Sequence, residues 1–90
     1  MSIKINVSQA LSEGQIPTRL GEVNGKTVGE CLDQLLIQRA DMKRWLFDDN
    51  GNLKEYVDIF INKQNAFPAP LTRPVKDGDE IYLMSLIGGG

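Results

Sequence analysis

The 90 residues, of which 41% are hydrophobic and 24% are charged, suffice for one globular domain and are too few for two. Ten basic and twelve acidic residues give a net charge of −2, which does not provide the basic face that nucleic-acid binding requires. Histidine is absent, so the commonest general base and metal ligand is missing, and neither a hydrolase triad nor a metal site is expected.

Apolar runs in this chain stay far below the roughly 20 residues that a membrane-spanning helix needs. The polar N-terminus does not have the pattern of a signal peptide. The single cysteine, Cys31, cannot form an intramolecular disulfide, which is typical of a reduced compartment. We therefore expect a cytoplasmic protein that contacts neither a membrane nor nucleic acid.

The first half of the chain predicts two strands and a helix. Residues 3–7 alternate apolar and polar side chains as a half-buried strand does, and 19–23 form a weaker strand that the Asn24-Gly25 turn ends. A polar stretch around residues 12–14 separates the two strands, which could pair as a hairpin. Thr27 followed by Glu30 has the form of a capping box, and helical apolar spacing predicts a helix over 28–40.

The second half predicts two further strands joined by a long loop. Trp45–Phe47 suggest a short helical turn, and a turn at 48–51 follows. Val57–Ile61 is rich in β-branched and aromatic residues and forms the best predicted strand. Residues 62–74 contain three of the four prolines and predict a loop with a short edge strand. A turn at 76–79 then leads into a last strand, Ile81–Met84.

This element order predicts an α+β fold of the β-grasp (ubiquitin-like) type. We expect a mixed sheet of four to five strands with one main helix on one face. The domain is predicted to span residues 1–85, followed by a flexible C-terminal tail, 86–90, that ends in Gly88-Gly89-Gly90. Taken alone, three such glycines could equally be a frayed end or a cloning remnant.

Period-2 alternation predicts a binding face on the sheet. If Ile59 and Leu83 point to the helix, Phe60, Tyr82 and Met84 point away from it. An exposed apolar cluster of this kind is typical of a partner site. The alternative is that the 62–74 loop folds over these three side chains.

Cys31 and the paired aspartates have structural interpretations that we prefer to catalytic ones. Cys31 lies on the apolar stripe of the predicted helix, so we expect it in the core rather than in sulfur relay. The Asp48-Asp49 and Asp77–Asp79 pairs flank turn glycines, where aspartate commonly bonds local backbone; we expect turn formation rather than metal binding.

Several motifs, in the correct order over nearly the whole chain, resemble those of the MoaD/ThiS family of sulfur carriers. They are Thr27-Val28-x-Glu30-x-Leu32, Leu46-Phe47-Asp48-x-x-Gly51-x-Leu53, Val57-x-Ile59-x-Ile61-Asn62, Val75-Lys76-Asp77-Gly78-Asp79-Glu80 and the closing glycines. Gly88 stands where relatives place a small residue such as Ala or Ser. Lys63 follows Asn62 where many relatives have Asn-Gly, which concerns only the shape of that loop.

The resemblance implies a defined chemistry at the tail. A partner related to the ubiquitin-activating enzyme would use ATP to adenylate the Gly90 carboxylate, a sulfur donor would convert it to a thiocarboxylate, and a downstream synthase would accept the sulfur. Gly89 would accompany Gly90 into the active site of the partner, and Leu86, Ile87 and Gly88 would contact the partner. The chain would bind no cofactor itself, would not be an enzyme alone, and could be a form processed by a protease.

The resemblance leaves open what the activated tail is used for. The leading alternative is a ubiquitin-like modifier joined to lysines of target proteins, and a weaker one is a β-grasp subunit whose tail only docks. Molybdopterin, thiamine, cysteine, methionine and siderophore routes all use such carriers. The Leu46–Leu53 motif is common among MoaD-like and cysteine-forming members, which favours them over the thiamine type.

Overall fold

The computed structural model describes residues 2–12, 14–15 and 17–85, and these form one mixed five-stranded sheet with a helix on one face. The strands are β1 (Ile3–Val7), β2 (Arg19–Val23), β3 (Val57–Ile61), β4 (Gln64–Asn65) and β5 (Glu80–Ser85). They lie in the order β2-β1-β5-β3-β4, with β1 and β5 parallel and the other pairs antiparallel. The predicted β-grasp fold is confirmed.

The hydrophobic core lies between the sheet and the main helix, α2 (Val28–Gln38). Every second side chain of β1 and β5 points into it, which is the alternation that the sequence showed. The buried residues of α2 are Val28, Cys31, Leu32 and Leu35. The core residues that the sheet contributes without measurable exposure are Ile3, Ile5, Val7, Ile81 and Leu83.

The start of α2 is capped as predicted, with one difference in the partner of Glu30. The Thr27 hydroxyl accepts from the Glu30 backbone N–H at 3.2 Å. The Glu30 carboxylate in turn accepts from the backbone N–H of Lys26 at 3.1 Å, one residue before the cap itself. Both bonds satisfy donors that would otherwise lack partners at a helix start.

The chain after α2 differs from the predicted helix end. The helix stops at Gln38, two residues earlier than predicted, because Arg39 leaves the helical region at φ −134° and ψ 76°. A 3₁₀ turn, Ala40–Met42, and a short helix, α3 (Lys43–Leu46), then carry Met42 and Leu46 into the core. The predicted Trp45–Phe47 helical turn therefore begins earlier and ends one residue before Phe47.

A short helix, α1 (Gln9–Ser12), occupies part of what the sequence predicted as a polar stretch. The Ser8 hydroxyl accepts from the backbone N–H of Leu11 at 3.2 Å, and the Leu11 side chain is buried. Ser8 thus caps the helix, and burial of Leu11 attaches it to the core. The signal was present in the sequence, as a serine three residues before an isolated leucine.

Membrane insertion through a helix is not indicated by the described part of the chain. Its longest helix, α2, has 11 residues, and no helix there is both long and apolar enough to cross a bilayer.

Candidate functional site

The tail residues assigned to the reactive arm, Leu86, Ile87, Gly88, Gly89 and Gly90, lie outside the described residues. The structure does define their point of attachment. Strand β5 is the central strand of the sheet, between β1 and β3, and its last residue, Ser85, is buried and pairs with Val57. The residue to which 86–90 are joined, Ser85, therefore belongs to a strand that pairs with a neighbour on each side.

Phe60, Tyr82 and Met84 lie together on the face of the sheet opposite α2. Phe60 and Tyr82 are directly paired across β3 and β5, and Met84 is the next residue of β5 on the same face. Tyr82 is 37% exposed, and the other two are half-buried. The structure therefore confirms that these three side chains point away from the helix, as the alternation predicted.

A shallow concavity of about 490 Å³ opens over these three side chains. Its other lining residues among those described are Asn6, Lys63 and Glu80. We name this surface, with its six residues, the β5 patch. Its last β5 residue, Met84, is two positions before residue 86 in the sequence.

Sequence reasoning missed the three polar members of the patch. Asn6 was detectable, since the alternation of β1 places it on the outer face, where it pairs with Tyr82 in parallel register. Glu80 precedes the predicted start of the last strand, which begins one residue earlier in the structure. Lys63 belongs to a turn, and no periodicity indicates the direction of a turn residue.

The 62–74 loop does not cover the β5 patch. After β4, Ala66 is buried and its N–H donates to the carbonyl of Ile59 at 2.9 Å. The Arg73 guanidinium donates to the carbonyls of Ala66 and Phe67 at 3.2 and 3.3 Å, which closes the loop on itself. A 3₁₀ turn, Pro70–Thr72, then packs against α2, so the loop crosses to the helix side.

The fit between this loop and α2 depends on a glycine. A Cβ placed on Gly29 would lie 2.9 Å from the carbonyl oxygen of Leu71, closer than real Cβ atoms approach. Gly29 therefore permits the close approach that keeps the loop on the helix side. The alternative of a covered binding face is wrong for the part of the loop that the structure describes.

The charged groups of the sheet face are partnered unequally. The Glu80 carboxylate accepts from the side-chain amide of Asn6, and the Asp58 carboxylate accepts from that of Asn65 at 3.1 Å. The side chain of Lys63 is exposed and has neither a hydrogen bond nor an ion pair within the described ranges. The patch thus combines an apolar centre with one cation, Lys63, that has no hydrogen-bond or ion-pair partner among the described residues.

Cys31 is enclosed in the core, as predicted. Its side chain has no exposed surface, and a Cβ on Gly25 would lie 2.8 Å from its Sγ. Burial, with a smaller contribution from the negative charge of Glu30, raises the pKa of the Cys31 thiol. A protonated and enclosed thiol is a poor nucleophile, so this geometry does not suit sulfur relay.

The predicted turn role holds for Asp48 and Asp79, which bond local backbone, whereas Asp77 bonds the distant Ser2. Asp48 accepts from the backbone N–H groups of Asn50 and Asn52 at 2.9 and 3.0 Å. Asp79 accepts from the Lys76 N–H at 2.9 Å, and Asp77 accepts from the Ser2 N–H at 2.6 Å. Within the described ranges no three acidic or cysteine side chains cluster as metal ligands would.

The sequence is similar to a known protein family and to a named relative. The model of the ThiS family matches residues 7–90. Ubiquitin-related modifier 1 of Encephalitozoon cuniculi is 36% identical over 84 residues, which cover 89% of this chain and 88% of that protein.

Solved structures agree with the sequence comparison. SAMP1 of Haloferax volcanii superposes with a TM-score of 0.82 at 25% identity, over the full length of both chains. The structure of a BexX/CysO complex from Amycolatopsis orientalis matches with a TM-score of 0.71 at 22% identity, covering 98% of this chain and 99% of that one. At that identity the second match shows the fold alone.

Proposed function

This chain belongs to the ThiS family of ubiquitin-like proteins, and from that membership we propose that it is a sulfur carrier whose reactive group is the carboxylate of Gly90. The observation that carries the proposal is the family match, which extends from the folded domain through Gly88-Gly89-Gly90 to residue 90. The role of the protein is to deliver and present this group, and its partners supply the catalysis.

The proposed chemistry has two steps, adenylation of the Gly90 carboxylate and transfer of sulfur to it. A carboxylate oxygen of Gly90 attacks the α-phosphate of ATP on an adenylyltransferase of the ubiquitin-activating type and releases pyrophosphate. Hydrosulfide (HS⁻) then attacks the acyl carbon, the bond between that carbon and the AMP oxygen breaks, and AMP leaves, so that a thiocarboxylate remains. If further residues follow Gly90 in the full-length product, a protease must first remove them to expose the carboxylate.

The tail has the properties that these steps require. Glycine lacks a Cβ, so consecutive glycines can pass extended through a narrow channel to a buried nucleotide. Six residues from Ser85 to Gly90 can span roughly 20 Å at about 3.3–3.6 Å each. Partner groups would therefore act at Gly90 while the folded domain stays at the mouth of the active site, with Leu86, Ile87, Gly88 and Gly89 along the channel.

The β5 patch is the surface that we assign to the activating enzyme. It is apolar at its centre, open to solvent and continuous with the strand that precedes the tail. Docking through Phe60, Tyr82 and Met84 would fix the direction in which the tail leaves. This would lower the entropy cost of bringing the Gly90 carboxylate to the nucleotide. The sulfur donor and the accepting synthase would follow as later partners, in the cytoplasm.

A second candidate function is supported by a specific relative. The 36% identical protein is named a ubiquitin-related modifier, and modifiers use the same activated terminus to acylate lysines of target proteins. The two functions differ in the nucleophile that attacks the adenylate. For the carrier, the Leu46–Leu53 motif favours a recipient of the molybdopterin or cysteine type over the thiamine type.

Intact-mass analysis separates the two functions. The chain ending at Gly90 is incubated with ATP, a sulfide source and the adenylyltransferase encoded in the same genome, and a second sample also contains lysine-rich target proteins. A carrier gains the mass difference between sulfur and oxygen, and a modifier forms adducts with target lysines instead. A variant lacking Gly90 is the control for both reactions. If the function of the protein in the cell survives this deletion, only the third possibility remains, a tail that merely docks.

A further inference from the structure

The connection between β3 and β4 is a two-residue turn that is unusual in its second residue. Asn62 and Lys63 have φ values of +49° and +73°, and the flanking residues Ile61 and Gln64 are paired. A hairpin turn of this kind, with positive φ at both central residues, favours Asn followed by Gly. Lysine has a Cβ that disfavours the left-handed region, so Lys63 destabilises the turn relative to glycine.

The first turn residue has a clear structural reason to be there, and the second has none. Asn62 tolerates positive φ, and its side chain donates to Asp79 and accepts from the Glu80 N–H at 3.0 Å. Lys63 makes no side-chain hydrogen bond or ion pair within the part of the chain that the structure describes. No side-chain hydrogen bond or ion pair with a described residue therefore offsets the unfavourable backbone of Lys63.

The position of Lys63 on the surface suggests where its charge is used. Lys63 is a member of the β5 patch, which it lines together with Phe60 and Tyr82. The acidic member of that patch, Glu80, already accepts from Asn6, so the unpartnered charge of the patch is positive. A residue held in a costly conformation at the edge of an apolar docking surface is typical of a functional position.

We propose that Lys63 is a specificity-determining residue, whose ammonium pairs with a carboxylate of the activating enzyme at the rim of the β5 patch. This inference rests on the proposed function, since it names the partner of the same surface. The partner surface that fits is an apolar centre with an acidic group opposite the β3–β4 turn. Rim charges of this kind act mainly on association rate and on discrimination between partners.

Replacement of Lys63 by glycine should change stability and partner binding in opposite directions. Lys63→Gly should raise the urea midpoint of unfolding, because glycine relieves the turn, and should weaken binding to the adenylyltransferase about tenfold at low salt. Lys63→Glu should weaken binding further, and Lys63→Arg should retain it. The weakening should shrink as salt rises, because salt screens rim charges.

The matched control is Lys43→Glu, which makes the same charge change at an exposed site on α3 outside the patch. Its affinity should stay within about twofold of wild type. Wild-type affinity in folded Lys63→Glu, or an equal loss in Lys43→Glu, would overturn the assignment while leaving the proposed function intact. Failure of the wild-type chain to be adenylated would instead remove the proposed function and this inference with it.

Discussion

The side-chain amide of Asn62 donates to Oδ1 of Asp79 at 2.8 Å and joins the turn after β3 to the turn before β5. The backbone reinforces the link, since the Asn62 N–H donates to the Glu80 carbonyl at 2.9 Å. Two turns that are distant in sequence are thereby fixed at one end of the sheet. This end borders the β5 patch through Lys63 and Glu80.

Asn62→Ala should therefore lower the free energy of unfolding by about 2 kcal/mol. It removes two side-chain hydrogen bonds and places a less tolerant residue at positive φ. Urea unfolding followed by circular dichroism measures the change. Asn62→Gly is the control, because it loses the same bonds but tolerates the backbone, and it should lose less stability than Asn62→Ala. An equal loss in both variants would contradict the backbone contribution.

The acid sensitivity of the fold should depend on Asp79. The Asn62 amide, and then the Lys76 N–H, hold the pKa of the Asp79 carboxyl below its usual value. Because the folded-state pKa is below the unfolded one of about 3.9, the contribution is present above about pH 5 and lost as pH falls through the folded pKa.

Asp79→Asn should accordingly be less stable than wild type at neutral pH, and the difference should shrink as the pH is lowered below the unfolded-state pKa. Urea unfolding at a series of pH values measures it. Asp41→Asn is the control: Arg39 also lowers the pKa of Asp41, but that pair is exposed and contributes little to stability. A difference between wild type and Asp79→Asn that is constant with pH would rule out the carboxylate as its source.

Cys31 should be unreactive in the folded protein and dispensable for sulfur transfer. A thiol-specific reagent at neutral pH should label it only after unfolding in urea, because the thiol is enclosed and its pKa is raised. Cys31→Ser should cost about 1–3 kcal/mol, since a buried hydroxyl needs a partner that the thiol does not. A folded Cys31→Ser protein that is adenylated but cannot receive sulfur would show that the thiol takes part.

Phe60→Ala and Tyr82→Ala should each weaken binding to the activating enzyme about tenfold or more, as truncation of a buried aromatic anchor does. Both variants should stay folded, because neither side chain belongs to the core. The matched control is Phe67→Ala, which removes an aromatic ring that is 73% exposed and outside the β5 patch. Isothermal calorimetry measures the affinities, and a loss in Phe67→Ala as large as in the patch variants would refute the assignment of this surface.

The sequence predicted those parts of the fold that depend on repeating patterns. Alternation in β1, β3 and β5 and the helical spacing of α2 are local signals, so these elements and the outward direction of Phe60, Tyr82 and Met84 were predictable. The end of α2 was not, because Met42 and Leu46 turn back to fill the core. The helix α1 was missed since burial of Leu11 outweighs the polar character around it.

Lys63 was the least predictable member of the candidate site. Its direction depends on the positive φ of two turn residues, and Asn62 holds that conformation through bonds to the distant Asp79–Glu80 segment. A sequence pattern contains no trace of such a long-range contact. The departure from Asn-Gly at 62–63 was visible, but only the structure connects it with the patch.

Locating the transferred sulfur by tandem mass spectrometry tests the central claim most directly. The chain ending at Gly90 is treated with its adenylyltransferase, ATP and a sulfide source, digested, and its C-terminal peptide is fragmented. We predict that one oxygen is replaced by sulfur at the terminal carboxyl of Gly90, in an ATP-dependent manner. Sulfur found on Cys31, or a C-terminal peptide that stays unmodified while ATP is consumed, would contradict it.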